Sequence, residues 1–338
     1  MRLLSGVLLA ILAGCASAQS PAMPGAMTPG AAVAPARSAA NDGAREANSP
    51  KNWSLIYVSN AVGTVTVYRY WQRLYYATLT GFATPKGECT DQTGDVFITD
   101  STLEEIVEYG HGGSTPINVI SDAGYQPYAC SVDPTSGKLA VANYLDAKGD
   151  AGNVAIYKTF NSKPQYYNPF LEGYGPLTCA YDDNGNLLIA TEYSVGSYEY
   201  AALSRLKRYY HRFVRVDMPY IKKERPYEYI TNVQWDGKYW AITSAGNISR
   251  FTITNLIDRY EGTTTLSANE NGPGQVWISN ATGDLSEQGT QVVAAESSGA
   301  VLYWKYPAGG SAFASISDYL DAPYGVAVSP KISSGSER

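Results

Sequence analysis

The chain has 338 residues, 44% of them hydrophobic and 17% charged, with a formal net charge of −6. That apolar share supports a packed core and excludes a wholly disordered chain. The acidic balance argues against nucleic acid as a partner.

The first residues read as an export signal over 1–18. Arg2 is a minimal positive region, 3–12 is a short apolar core, and Ala16-Ser17-Ala18 is a cleavage site of the A-x-A kind. Overlapping it, Leu12-Ala13-Gly14-Cys15 matches the bacterial lipobox, in which the cysteine is acylated. The two readings exclude each other. Because all four lipobox positions match, the chain is expected to be a lipoprotein anchored through Cys15 and facing the periplasm or cell surface; ordinary cleavage would make it a secreted protein. The apolar run is about half of the ~20 residues that a membrane-spanning helix needs. Residues 19–50, rich in Ala, Pro, Gly and Ser, lack apolar periodicity and are expected to be a disordered tether.

Ordered structure is predicted from 53 onward. Segments 53–59, 64–70 and 74–79 alternate apolar and polar residues as strands do. A repeat then begins: Pro85 is followed six residues later by Asp91 and then by a turn at Gly94, and strands are predicted over 96–99 and 106–109. Pro127 with Asp133 and Gly137, and Pro176 with Asp182 and Gly185, restate the pattern. Further units open at Ile230, Pro273 and Pro323. The third unit carries an insertion at 145–152. In the fourth, 201–210 is helical by composition but strand by position, and strand is expected. A unit of about 40 to 50 residues holding several short strands is the signature of a β-propeller. The first three strands lack a proline-led partner, while 323–329 is such a strand with nothing after it. The prediction is therefore an all-β, six-bladed β-propeller over 53–330, closed by pairing of the C-terminal strand with the first blade, and followed by a disordered tail at 331–338.

Asp91, Gly94, Phe97-Ile98-Thr99-Asp100 and Ile106-Val107-Glu108-Tyr109 carry a resemblance to the NHL-repeat propellers and their six-bladed relatives. That resemblance implies a fold shared by binding scaffolds, lactonases, synthases and lyases. In its gluconolactonase-like branch a Glu, Asn and Asp set from different inner strands would hold a metal on the ring axis, making a metal-dependent hydrolase. Glu88 and Asn232 are the axial candidates here. The positions matched to them, Ala129, Thr178, Gln275 and Gly325, do not complete a cage, so no metal, cofactor or catalytic residue is assigned.

Both histidines, His111 and His211, are expected at the surface. Asp182-Asp183-Asn184-Gly185-Asn186 resembles the start of a calcium loop, but Tyr193 stands where the closing glutamate should be, and a hairpin turn is the simpler reading. Cys130 and Cys179 hold equivalent places in adjacent units, with valine there in others; small buried residues are expected, a Cys130–Cys179 disulfide being the alternative. The most unusual surface chemistry runs from Arg205 to Arg225. Arg205, Lys207, Arg208, Arg212 and Arg215, then Lys222, Lys223 and Arg225, are interleaved with Tyr209, Tyr210, Tyr220 and Tyr227. Cations with flat rings can grip an anionic glycan, a lipid headgroup or an acidic protein; a solvated edge guarded against strand addition is the competing reading. The function expected is that of a binding or scaffolding module in the cell envelope, with an envelope protein or anionic glycan as partner and contact with the membrane through the lipid anchor alone.

Overall fold

The computed structural model describes residues 50–169, 175–195, 198–217, 230–254, 257–267, 274–279 and 290–332, with the backbone alone over 192–195 and 198–200. The export signal, Cys15, the tether through residue 49, residues 218–229 of the basic stretch and 333–338 of the tail lie outside the described residues.

The first blade contains β1 (Leu55–Asn60), β2 (Thr64–Arg69) and β3 (Leu74–Leu79). The second is β4 (Pro85–Thr90), β5 (Val96–Asp100), β6 (Glu105–Tyr109) and β7 (Pro116–Ser121). The third is β8 (Tyr125–Val132), β9 (Leu139–Asp146), β10 (Val154–Tyr157) and β11 (Gln165–Tyr167). The fourth is β12 (Pro176–Tyr181), β13 (Leu187–Val195), β14 (Tyr198–Leu206) and β15 (Val214–Val216). The fifth is β16 (Asn232–Trp235), β17 (Trp240–Ser244), β18 (Asn247–Thr254) and β19 (Ile257–Ser267). The sixth is β20 (Val276–Ile278), β21 (Gln291–Glu296), β22 (Ala300–Lys305) and β24 (Ala314–Ile316), with the short β23 (Gly310–Ser311) joining the edge of blade five. Finally β25 (Pro323–Ser329) returns to pair antiparallel with β1 as the innermost strand of blade one. Six sheets closed by the C-terminal strand are what the repeat predicted, and the strand expected in blade four forms as far as Leu206.

The recurring aspartate makes the inner hairpin. Asp91, Asp133, Asp182 and Asp236 each accept a backbone N–H from the residue two positions on, as Asx turns do. Asp182 also accepts from the Asn186 N–H and side-chain amide, so the calcium-like stretch is a hairpin turn with Gly185 at φ +75°. Ser279 and Ser329 stand at this place in the last two inner strands.

Each interface between adjacent blades holds its own apolar cluster. Val326 and Val328 of β25 pack with Ile56, Val58, Val293 and Tyr303 between blades six and one. Burying a valine fully contributes about 1.5–3 kcal/mol, so the returning strand is bound by its side chains as well as by its ladder. His111 reinforces the closure: its ring nitrogens meet Ser329 Oγ at 2.6 Å and the Trp53 carbonyl at 3.0 Å, while Ser329 donates to the Gly94 carbonyl. The expectation of a surface histidine is corrected here. His111 is buried because the loop after β6 tucks under the latch.

The cysteine reading is corrected as well. Cys89 and Cys130 form a disulfide between inner strands β4 and β8, with Cα atoms 5.6 Å apart, and Cys179 is a free, buried thiol. Core packing therefore describes Cys179 alone.

Candidate functional site

Two concavities lie near residues singled out in the sequence. The first is on the ring axis. Where the inner strands begin, their backbones touch: a Cβ on Gly325 would fall 1.9 Å from the Lys86 carbonyl oxygen, and one on Gly87 would fall 2.7 Å from that of Tyr128. Lys86 Nζ sits over the rings of Tyr128 and Tyr324 at 5.2 and 4.8 Å. Toward the opposite ends of these strands a cavity of about 210 Å³ opens, and Glu88 and Asn232 are both among its lining residues.

Their side chains serve the joints between blades. Asn232 accepts from Thr178 Oγ1 and donates to the Val276 carbonyl. Gln275 links the Glu88 backbone to the Val326 N–H. Glu88 pairs opposite Ile98, which sets it level with Cys130 opposite Val141, and so with Cys179 and Val233. It is one place away from the equivalence with Asn232 that the sequence comparison assumed. A one-residue slip turns a strand side chain to the other face. Glu88 accordingly points into the joint with blade one, where Ser59 donates to Oε1 at 2.6 Å and Oε2 has no partner. Burial pushes its pKa up to about 8, against the pull of the Ser59 hydroxyl and the Ala327 amide. Among the described residues no group of three or more His, Cys, Asp or Glu side chains is placed to hold a metal.

The second concavity is a groove of about 440 Å³ between blades three and four. One wall is the face of blade three, where Gln165 and Tyr167, two apart on β11, turn the same way beside Ile156 and Lys158. The other is the turn after β14, in which the Tyr210 N–H donates to the Lys207 carbonyl and Asn186 accepts from the Arg208 N–H. That turn forces Tyr209 to φ +68°, a left-handed conformation uncommon for a bulky residue, and leaves its ring 82% exposed with the Arg208 guanidinium 4.8 Å from its centroid.

Lys138, Lys158, Lys207, Arg208 and His211 all line the groove, whereas Asp133 is its single carboxylate. The Asp133 oxygens are already engaged by Thr135 and Ser136. Among the described residues no carboxylate forms a salt bridge with Lys138, Lys158, Lys207 or Arg208, so four positive side chains meet one engaged carboxylate in a concave site.

No protein-family model matches the chain, and no curated protein matches it either. Among solved structures 1018 chains match, a breadth that points to an architecture and not to an activity. One belongs to the crystal structure of a nidogen/laminin complex, with a TM-score of 0.58, 10% sequence identity, and coverage of 82% of this chain and 99% of that one. The likeness shows the fold.

Of the residues singled out on the basic edge of this propeller, Lys207, Arg208, Tyr209 and Tyr210 meet at the groove. Arg212 and Arg215 are exposed but do not line it. Arg205 lies under the surface on β14 and donates from Nη1 to the Ile253 carbonyl of blade five at 2.9 Å. Sequence reasoning missed Lys138, Lys158, Gln165 and Tyr167, which come from the preceding repeat. The signal available was positional: residues following the Asp133 turn must face those following the Asp182 turn once blades stack in order.

Proposed function

We propose that the chain is an exported binding module, held to the cell envelope by lipid on Cys15, that presents the groove between blades three and four to its ligand. One observation carries the reading: four cations with no salt-bridge partner among the described residues converge, with exposed tyrosine rings, on a single concavity of a protein whose net charge is −6. The Cys89–Cys130 bridge supports export, since such bonds persist in oxidising compartments. The matched propeller, taken from a complex of nidogen with laminin, is in keeping with a binding role. Reversing charge at Lys138, Lys158, Lys207 and Arg208 together should abolish recovery of the bound component from an envelope extract, and an unchanged set of captured components would overturn the assignment. The Cys15→Ser chain should leave the membrane fraction; continued sedimentation with membranes would defeat the anchor.

A further inference from the structure

We infer that the groove between blades three and four takes an acidic oligosaccharide, a short run of sugar rings bearing carboxylates. This deepens the reading above and rests on the groove being the binding face.

Three features select this class. First, the positive groups come from three separate segments: Lys138 after the Asp133 turn, Lys158 after β10, and Lys207 with Arg208 after β14. A ligand that answers them carries charge at intervals, as a uronate chain does, and not at one point. Second, the walls offer flat rings. Tyr209 and Tyr210 are 82% and 60% exposed at the lip, and Tyr167 lies deeper. An aromatic face is electron-rich, so it attracts the C–H bonds that line one face of a pyranose; the acidic side chains of a peptide have no such face. Third, Gln165 and Tyr167 reach the groove from the face of their sheet, so its wall does not offer the row of unpaired backbone groups by which a peptide strand is added. A volume of about 440 Å³ falls within the roughly 300–1,000 Å³ of small-ligand sites.

Tyr209 has a particular part. Its backbone is held in a conformation that costs about 1–3 kcal/mol for a residue other than glycine, and its ring is left in solvent rather than in the core. Packing does not compensate that cost. The site therefore keeps the ring as a platform, with Arg208 beside it to meet a carboxylate.

The test is titration calorimetry on the full chain with four probes: a trigalacturonate, its methyl ester, a triglutamate peptide and inorganic phosphate. The trigalacturonate should bind, and its affinity should fall by at least about tenfold between 0.05 and 0.5 M salt, as screening of exposed charge requires. The methyl ester and the triglutamate should each bind at least about tenfold more weakly. Tyr209→Gly removes the ring while suiting the left-handed backbone, so it should fold as well as the parent yet lose most of the affinity, whereas Tyr209→Phe should keep it. Equal binding of ester and acid, binding of the triglutamate or of phosphate as tight as that of the sugar, or full affinity in Tyr209→Gly would each overturn the assignment. If none of the probes binds while the fourfold charge reversal still abolishes envelope capture, the sugar assignment fails and the groove stands. If that variant captures as before, the groove itself fails.

Discussion

Removal of the Cys89–Cys130 bridge should weaken one joint of the ring by a calculable amount. The two cysteines belong to neighbouring inner strands and are 41 residues apart in sequence. Opening a loop of that size restores denatured-state entropy equivalent to about 4 kcal/mol at 25 °C on the chain-entropy account. For a domain of this size each kcal/mol moves the melting temperature by about 2 °C, so a fall of about 8 °C is expected. Parent protein should be compared oxidised and reduced, alongside Cys89→Ala/Cys130→Ala, with tryptophan fluorescence followed against both temperature and urea. The reduced parent and the double variant should melt within a degree or two of each other, because the residues around the bridge, including Phe97, Ile106 and Val141, stay in place. Melting of the oxidised and reduced forms within 2 °C would refute the reasoning, since the bridge would then constrain a denatured state that is already compact there.

The same repeat geometry offers a second bridge. Ser131 stands two places before Asp133, as Cys89 does before Asp91, and it already accepts the Tyr181 N–H across the next joint; Ser131→Cys should therefore crosslink to Cys179 under mild oxidation, and peptide mapping that finds Cys179 free would count against the register. In the parent, burial pushes the Cys179 thiol up to about 12, so it should resist alkylation at pH 8 until the fold is opened. Glu88 gives a pH signature. Below about 4.5 its carboxyl is protonated in both states; between about 4.5 and 8 the unfolded chain is ionised while the folded one keeps its proton, so stability falls as pH rises, by up to about 1.4 kcal/mol per unit, and the slope ends above 8. Glu88→Gln should reduce that slope in urea-unfolding midpoints, leaving the part supplied by Glu108, which burial raises to about 7; a slope unchanged from the parent would place its source elsewhere. Val326→Asp sets a charge in the wholly buried joint between blades six and one and should leave the chain unfolded or aggregated in far-ultraviolet dichroism and sedimentation; a native, monomeric variant would show that the latch is dispensable.

The ring was readable because its repeat is written in turn chemistry. Proline marks the start of most inner strands, and the aspartate six residues later closes the hairpin by accepting backbone amides, so both survive in units whose apolar residues differ. What escaped was register near the axis. The inner strands of blades two, three and four carry irregularities close to their prolines, and there an offset of one residue decides which face a side chain takes. Cys89 stands two places before its aspartate and Cys130 three before its own, and these two positions confront each other across the joint between blades two and three. Matching Glu88 to Asn232 slips the strands by one residue, which sets Glu88 on the channel and hides the confrontation of Cys89 with Cys130. The groove was half legible for a related reason: the basic run after β14 is contiguous in sequence, whereas the opposite wall comes from a different repeat and declares itself only when the blades stand side by side.

Closure by β25 also fixes an order of events. The Leu55 backbone pairs with Ser329, so blade one has an uncovered inner edge throughout synthesis and during any passage across a membrane, until the last repeat has emerged. Contacts of such long range are slow to form and expose sticky surface meanwhile. A nascent chain stalled before residue 323 should consequently be held by chaperones and cut by proteases, and release of the final strand should convert it within one step to a resistant body.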